Sequence, residues 1–269
     1  AEALLDGADS LKEQIRQAGN AAGRMELRRM EDTMLWTAQN LMGTYHSLEA
    51  EQAAASARAE AQKHLSEKVK DQEMLGSSTS YHSQEAYQKW QSALNEYERL
   101  KKEQERVRQE LLLLTGFSPD SPVVLEKMPL PDVSRAALVN PQEDRQQALG
   151  NNYELRSGRM GNAGSNQELH KKQRQTELDE NQIFASLETL GDQIRSCQAE
   201  WEAACAKEQA QRAVWQSAVR KRELGTMAEG EYLEIYSQYM EEKGNQAQAS
   251  IRFLLAMEEY DWAKKGLMD

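Results

Sequence analysis

The chain has 269 residues, of which 29% are charged, 39% hydrophobic and 6% aromatic, and its mean hydropathy is −0.83. That balance suits long exposed helices and leaves too little apolar material for a thick-cored globule. No apolar run approaches the roughly 20 residues that a membrane-spanning helix needs, and a net charge of −11 argues against nucleic acid, whose phosphates call for a basic surface.

Residues Ala1 to Arg24 are polar and helix-like, with no strand-like alternation. The opening Ala1-Glu2-Ala3 carries no Met, basic region or apolar region, which predicts a mature form after signal-peptide removal or a trimmed start. From Met30 the seam of a long helix follows at steps of four and three: Met30, Met34, Ala38, Leu41, Tyr45, Leu48, a polar Gln52, Ala55 and Ala59, continued by Leu65, Val69 and Leu75. Gly76 supplies the left-handed residue that ends a helix, and Ser77, Ser78, Thr79 and Ser80 offer N-cap oxygens to the next. The return arm carries Trp90, Leu94, Tyr97, Val107, Leu111 and Leu114 and stops at Gly116.

Gly116 to Pro141 holds all five prolines and the run Val123-Val124-Leu125, and is expected to form an extended strap. Asn140-Pro141 is a cap with Pro at the first helical position and predicts a short helix to about Arg156, followed by a loose link from Ser157 to Asn166 with Gly158, Gly161 and Gly164. Ser165 and Glu168 have capping-box spacing. The next seam runs through Ile183, Leu187, Leu190, Ile194, Cys197, Trp201, Ala204, Trp215 and Ala218 to Leu224-Gly225. Thr226 and Glu229 again fit a capping box, and Tyr232, Tyr236, Tyr239, Phe253, Leu254, Met257 and Trp262 mark the last arm. Acidic residues at its start (Glu229, Glu231, Glu234) and Lys264 and Lys265 at its end suit the helix dipole.

The layout is duplicated. Leu75-Gly76 is followed by Gly116, and Leu224-Gly225 by Gly266, each about 40 residues further on. The fold class is therefore all-α: two long antiparallel helical hairpins forming a coiled-coil rod, with tips at Gly76 and Gly225 at one end and a Pro-rich strap between the copies. The expected layout is a single elongated helical domain, with a first hairpin at 1–116, strap, short helix and link at 117–166, and a second hairpin at 167–269. Each arm of roughly 40–55 residues would extend about 60–80 Å at helical rise. Ala38, Ala55, Ala59, Ala204 and Ala218 keep the seams thin. Cys197 and Cys205 lie about 12 Å apart on one helix, too far for a disulfide, and Cys197 reads as a small apolar seam residue.

Nothing points to catalysis, a cofactor or a metal. His46, His64, His82 and His170 are scattered over what reads as exposed helix, without ligand spacing. No phosphate loop, nucleophile elbow or metal-spaced Cys pair is present, and the carboxylates sit among Lys and Arg where pairing on a solvated face explains them. The chain is not expected to be an enzyme.

Ser250-Ile251-Arg252-Phe253-Leu254-Leu255-Ala256, with Tyr260, Ala263 and Gly266-Leu267, resembles the closing helix of the TolC-like outer-membrane efflux proteins. Leu114-Thr115-Gly116 before a Pro-containing strap is similar to the same family, as is Ala148-Leu149-Gly150-Asn151-Asn152-Tyr153-Glu154-Leu155-Arg156, which resembles the stretch opening the family's second half. The resemblance implies a trimeric barrel of helical hairpins in the periplasm. It also implies tips that meet an adaptor's hairpin, an inner-membrane pump as the supplier of substrate, and four strands per protomer that continue into an outer-membrane barrel. Ser157 to Asn166 is too short for two spanning strands of about 9–11 residues each, so a helical body without its own barrel is expected.

By the same resemblance Leu75, Gly76 and Ser77, with Leu224, Gly225 and Thr226, match the adaptor-contacting turns, and Glu231 and Glu234 match an acidic constriction. Arg222 and Met227 stand where the family has its gating Tyr and Arg, so the family's gating network is not expected here. The expected function is a cell-envelope or secreted helical scaffold, or adaptor-docking component, associated with efflux or secretion. The alternative is a stand-alone coiled-coil interaction module with no transport role. Its partner would be a periplasmic-type adaptor or other coiled-coil protein at the tips, and the chain itself a monomer in dilute solution that forms a trimer only on a bridging partner.

Overall fold

The computed structural model describes residues 21–160 and 164–268. The expectation for Ala1–Arg24 therefore lies largely outside the described residues, as does Gly161 of the link. Seven helices occur among the described residues, and no strand: α1 Ala21–Met74, α2 Ser80–Leu114, α3 Val133–Ala136, α4 Pro141–Asn151, α5 Tyr153–Met160, α6 Asn166–Glu223 and α7 Glu229–Lys265. No described helix is long and apolar enough to cross a membrane. The all-α, two-hairpin reading holds.

Four helices end in the same way. Gly76, Gly116, Gly225 and Gly266 are the positive-φ residues among those described, at 74°, 82°, 66° and 102°. In each case the glycine N–H bonds to the carbonyl three residues back, and the next N–H reaches five back: Ser77 to Gln72, Phe117 to Leu112, Thr226 to Lys221 and Leu267 to Trp262. This is the Schellman arrangement, which satisfies carbonyls the helix would otherwise leave bare. The four glycines that punctuate the sequence are thus one repeated device.

The chain divides into two compact units. The unit made of 40–132 and 196–255 contains both hairpin tips. Within it α1 and α7 run antiparallel: Gly43 lies against Ile251 and Leu255, Gly244 against Ala50 and Ala54, and Gly230 against His64. The α6–α7 seam is aromatic, with Trp215 stacked on Tyr239 at 4.7 Å and Trp201 beside Phe253 at 5.8 Å. The first hairpin buries small residues, Ala55, Ala59 and Ala86, and closes with Val107, Leu111 and Leu112. Residues 117–132 form the strap.

The other unit comprises the described parts of 1–39, 133–195 and 256–269. Its core is Leu187, Ile194, Met257 and Tyr260, all at 2% exposure or less. Asn140 caps α4 as expected, accepting from the Gln142 N–H with Pro141 at the first turn. The predicted helix to Arg156 is interrupted at Asn152, whose ψ is 124°. The Asn152 side chain caps the Leu155 N–H at 2.9 Å, the Tyr153 N–H turns to the Gly266 carbonyl, and Asn151 Nδ2 donates to the Lys264 carbonyl at 2.9 Å. The end of α7 therefore sits on the α4–α5 break. Residues 157–160, expected in the link, are helical because α5, which restarts at Tyr153, runs on through them.

Further expectations need correction. Met30 and Met34 are 55% and 51% exposed, so the buried part of the first seam begins beyond them. Thr226 and Glu229 form no capping box: the Thr226 hydroxyl donates backward to the Lys221 carbonyl, and Glu229 pairs with Arg222 instead. The segment from Gly116 to Pro141, expected to be extended throughout, contains the short helix α3 after the strap. Only half of the Ser165–Glu168 box forms: Ser165 Oγ accepts the Glu168 N–H, but the Glu168 carboxylate takes the Gly164 N–H instead of that of Ser165.

Candidate functional site: the hairpin tips

Both tips belong to one unit and lie at its same end, because Gly230, five residues past Gly225, packs beside His64, twelve before Gly76. After each tip glycine a hydroxyl donates to the carbonyl that already accepts its own N–H: Ser77 Oγ to Gln72 at 3.0 Å and Thr226 Oγ1 to Lys221 at 3.0 Å. The Leu-Gly-Ser and Leu-Gly-Thr turns are therefore the same structure, with the leucine pushed outward. Leu75 is 82% exposed and Leu224 76%. Met74 and Tyr81 stand exposed on the first tip as well.

The tips differ in how they are braced. On the first, Thr79 caps α2 by accepting the His82 N–H at 3.3 Å. On the second, Arg222 holds Glu229 with two bonds of 2.8 and 2.7 Å and lies over the Tyr232 ring at 4.2 Å. Tyr232 stacks on Tyr236, which leans on Trp215. This fork-on-carboxylate contact, with the cation over a ring, fixes the α6–α7 turn. Arg222 is thus committed to bracing its own hairpin. Glu231 and Glu234 are exposed on α7, and nothing in the described unit closes a pore around them.

One expectation about the histidines is overturned. His46 is only 9% exposed, held between Glu49 and the strap, because the Pro-rich strap covers that face of α1. Arg108 of α2 was likewise unremarked in the sequence, yet it binds the strap carbonyls of Pro119, Ser121 and Val123. The signal available was a Pro-rich segment short of helix partners, which must find side-chain donors for its carbonyls. His64 packs against Gly230 on α7. Among the described residues no group of His, Cys, Asp or Glu could hold a metal ion, and Cys197 and Cys205 form no disulfide.

In the other unit the motif residues tie helices together. Tyr260 donates to Asp144 at 2.8 Å, and burial followed by that carboxylate pushes its phenol well up from the usual range. Tyr153 donates to Asp32 at 2.7 Å and is pushed up to about 12 by burial and then by the same kind of bond. Arg135 of α3 bridges Glu258 and Asp261 at 2.8 and 2.5 Å; burial works against its charge, but the two carboxylates outweigh it and raise its pKa.

No family model matches the chain, and no curated protein does. Solved structures match in fold. CusC aligns with 97% of this chain and 85% of its own at 13% identity and a TM-score of 0.64. The CmeC outer-membrane channel of Campylobacter jejuni covers 95% of this chain and 67% of its own, at 14% identity and a TM-score of 0.52. The outer-membrane protein VceC of Vibrio cholerae covers 94% and 76%, at 13% identity and a TM-score of 0.53. The chain has the helical-hairpin fold of these TolC-like channels.

Proposed function

We propose that this chain is a helical-hairpin scaffold of the cell envelope that docks a periplasmic-type adaptor, or another coiled-coil protein, through its two tips, in association with efflux or secretion. The observation that carries the reading is the pair of matched tips: two Schellman turns of the same build, each offering an exposed leucine, at one end of one unit. Two equivalent, braced turns present their apolar residues at little conformational cost to a helical partner, the helix-in-groove mode of recognition. Leu75, Gly76, Ser77, Leu224, Gly225 and Thr226 would form the contact. Glu231 and Glu234 would line a narrowing only if several copies closed a ring.

The link between α5 and α6 would not carry spanning strands. Between α5 and α6 only residues 161–165 remain, and two spanning strands of about 9–11 residues each cannot fit there. The test is photocrosslinking in the host envelope from probes at positions 75 and 224, with a mid-helix control at Lys101. Capture of one helical-hairpin protein from both tips, absent from the control, is the expected result. Capture from the control position alone would overturn the docking reading and leave the stand-alone module.

A further inference from the structure

The strap of the tip-bearing unit, residues 117–132, forms no helix or strand, and within it a backbone bond joins the Ser121 N–H to the Ser118 carbonyl, so several of its carbonyls turn to side chains. Two helices supply them. Arg108 of α2 donates to the carbonyls of Pro119, Ser121 and Val123 at 3.4, 2.6 and 3.3 Å. His46 of α1 places Nε2 2.9 Å from the Glu126 carbonyl and Nδ1 2.9 Å from Glu49 Oε2. The proximal strap thus hangs on a guanidinium and the distal strap on an imidazole.

Both acceptors facing His46 are acceptors only. A carbonyl and an ionised carboxylate have no proton to give, and a neutral imidazole has a single N–H. The two contacts are satisfied together only by the imidazolium, and the ring is nine-tenths buried, so water cannot readily replace a missing donor. When the ring is neutral, its one proton stays with the partner that binds it more strongly. A charge-assisted bond to a carboxylate is roughly twice as strong as one to a neutral carbonyl, so the proton stays on Nδ1 facing Glu49. The Glu126 carbonyl then faces a lone pair.

The other groups near the ring do not supply the missing donor. On α1 the Tyr45 ring meets the imidazole edge-on at 5.1 Å. From α2, Glu105 and Arg108 face Tyr45 and are paired with each other at 3.5 Å. From the strap, the Glu126 and Lys127 residues are exposed. From α7, Ile251 and Leu255 pack at the neighbouring Gly43.

We propose that His46 is a proton-dependent latch on the strap: as imidazolium it holds the distal strap, in its neutral form it releases it, and Arg108 keeps the proximal strap seated throughout. The release would uncover the α1 face beneath residues 124–130 while leaving the helices in place.

Carbon-detected NMR of the isotopically labelled full chain, run from about pH 5 to 9 across the imidazole range, tests this. The expected result is that the Glu126 carbonyl signal moves toward its unbonded position and residues 124–128 gain mobility as pH rises, while 117–123 do not. His46→Gln cannot titrate and should show no step, whether its strap is held or open. Glu49→Gln removes the competing anion, leaves the neutral ring to donate to the strap, and should also lose the step. Arg108→Gln should mobilise 117–123 at every pH. Far-UV dichroism checks that each variant keeps its helices. An unmoved Glu126 carbonyl signal in the parent chain, or a step that survives in His46→Gln, would overturn the latch.

Discussion

Single side chains tie the second half of the sequence to the first, and they do so with phenols as well as ions. Tyr153 sits at 7% exposure with its hydroxyl on Asp32, so its neutral form is favoured in the folded chain and its pKa rises to about 12. A phenol raised in the folded state contributes stability that is fully present below the unfolded value of about 10. That contribution is lost as pH climbs from there through the folded value of about 12. Tyr260, also raised, acts in the same direction. Denaturant midpoints should therefore fall steeply above about pH 10, and Tyr153→Phe, although less stable at neutral pH, should fall less steeply over that interval. Equal slopes for the two proteins would show that Tyr153 ionises as freely when folded as when unfolded.

At the scale of elements, the glycines that stop helices separate into two physical kinds. Gly76 has a φ of 74° with nothing within 4 Å of where a Cβ would stand. Gly76→Ala should therefore cost only the left-handed strain, about 1–2 kcal/mol. Gly266 has a φ of 102°, and its added Cβ would lie 2.2 Å from the Asn151 carbonyl oxygen. Gly266→Ala must displace the backbone at the α4–α5 break, which adds about 1–3 kcal/mol of overpacking to the strain. Urea titrations of the two variants check the difference, and equal losses would contradict the docking of α7 on that break.

All four stops were legible in the sequence because a Schellman turn is a local event that glycine dictates. The seams were legible where burial follows the heptad, as at Leu187, Ile194 and Ala218. The start of the first seam was not, because Met30 and Met34 keep the rhythm yet stay more than half exposed. The break at Asn152 escaped because its cause is Gly266, far along the chain. The tips were placed by their Leu-Gly pairs, but the Arg222–Glu229 brace was not: the same glutamate that suits a capping box also suits an arginine seven residues earlier, and spacing alone does not choose. His46 reads as an exposed helix position until the strap is laid over it.

For the whole molecule the remaining question is assembly. Association costs roughly 4–15 kcal/mol of translational and rotational freedom before any contact is counted, and a stable interface usually buries at least about 1,000 Å² with good complementarity. Each copy carries a net charge of −11, which adds mutual repulsion that salt only partly screens. The exposed apolar side chains on the described start of α1, Leu27, Met30, Met34 and Leu35, are four residues where a stable interface takes about 20–30 a side. The tip leucines are single side chains at turns, suited to a partner's groove more than to each other. The chain should therefore sediment at micromolar concentration as a monomer of 30.6 kDa, and addition of salt should promote association only modestly. A closed ring would then need a partner that bridges the tips and supplies the missing contact. A stable trimer of the isolated chain in sedimentation equilibrium would reverse this conclusion, because the repulsion between copies would already have been overcome by an interface of their own, and Glu231 and Glu234 would become candidates for a narrowing inside it.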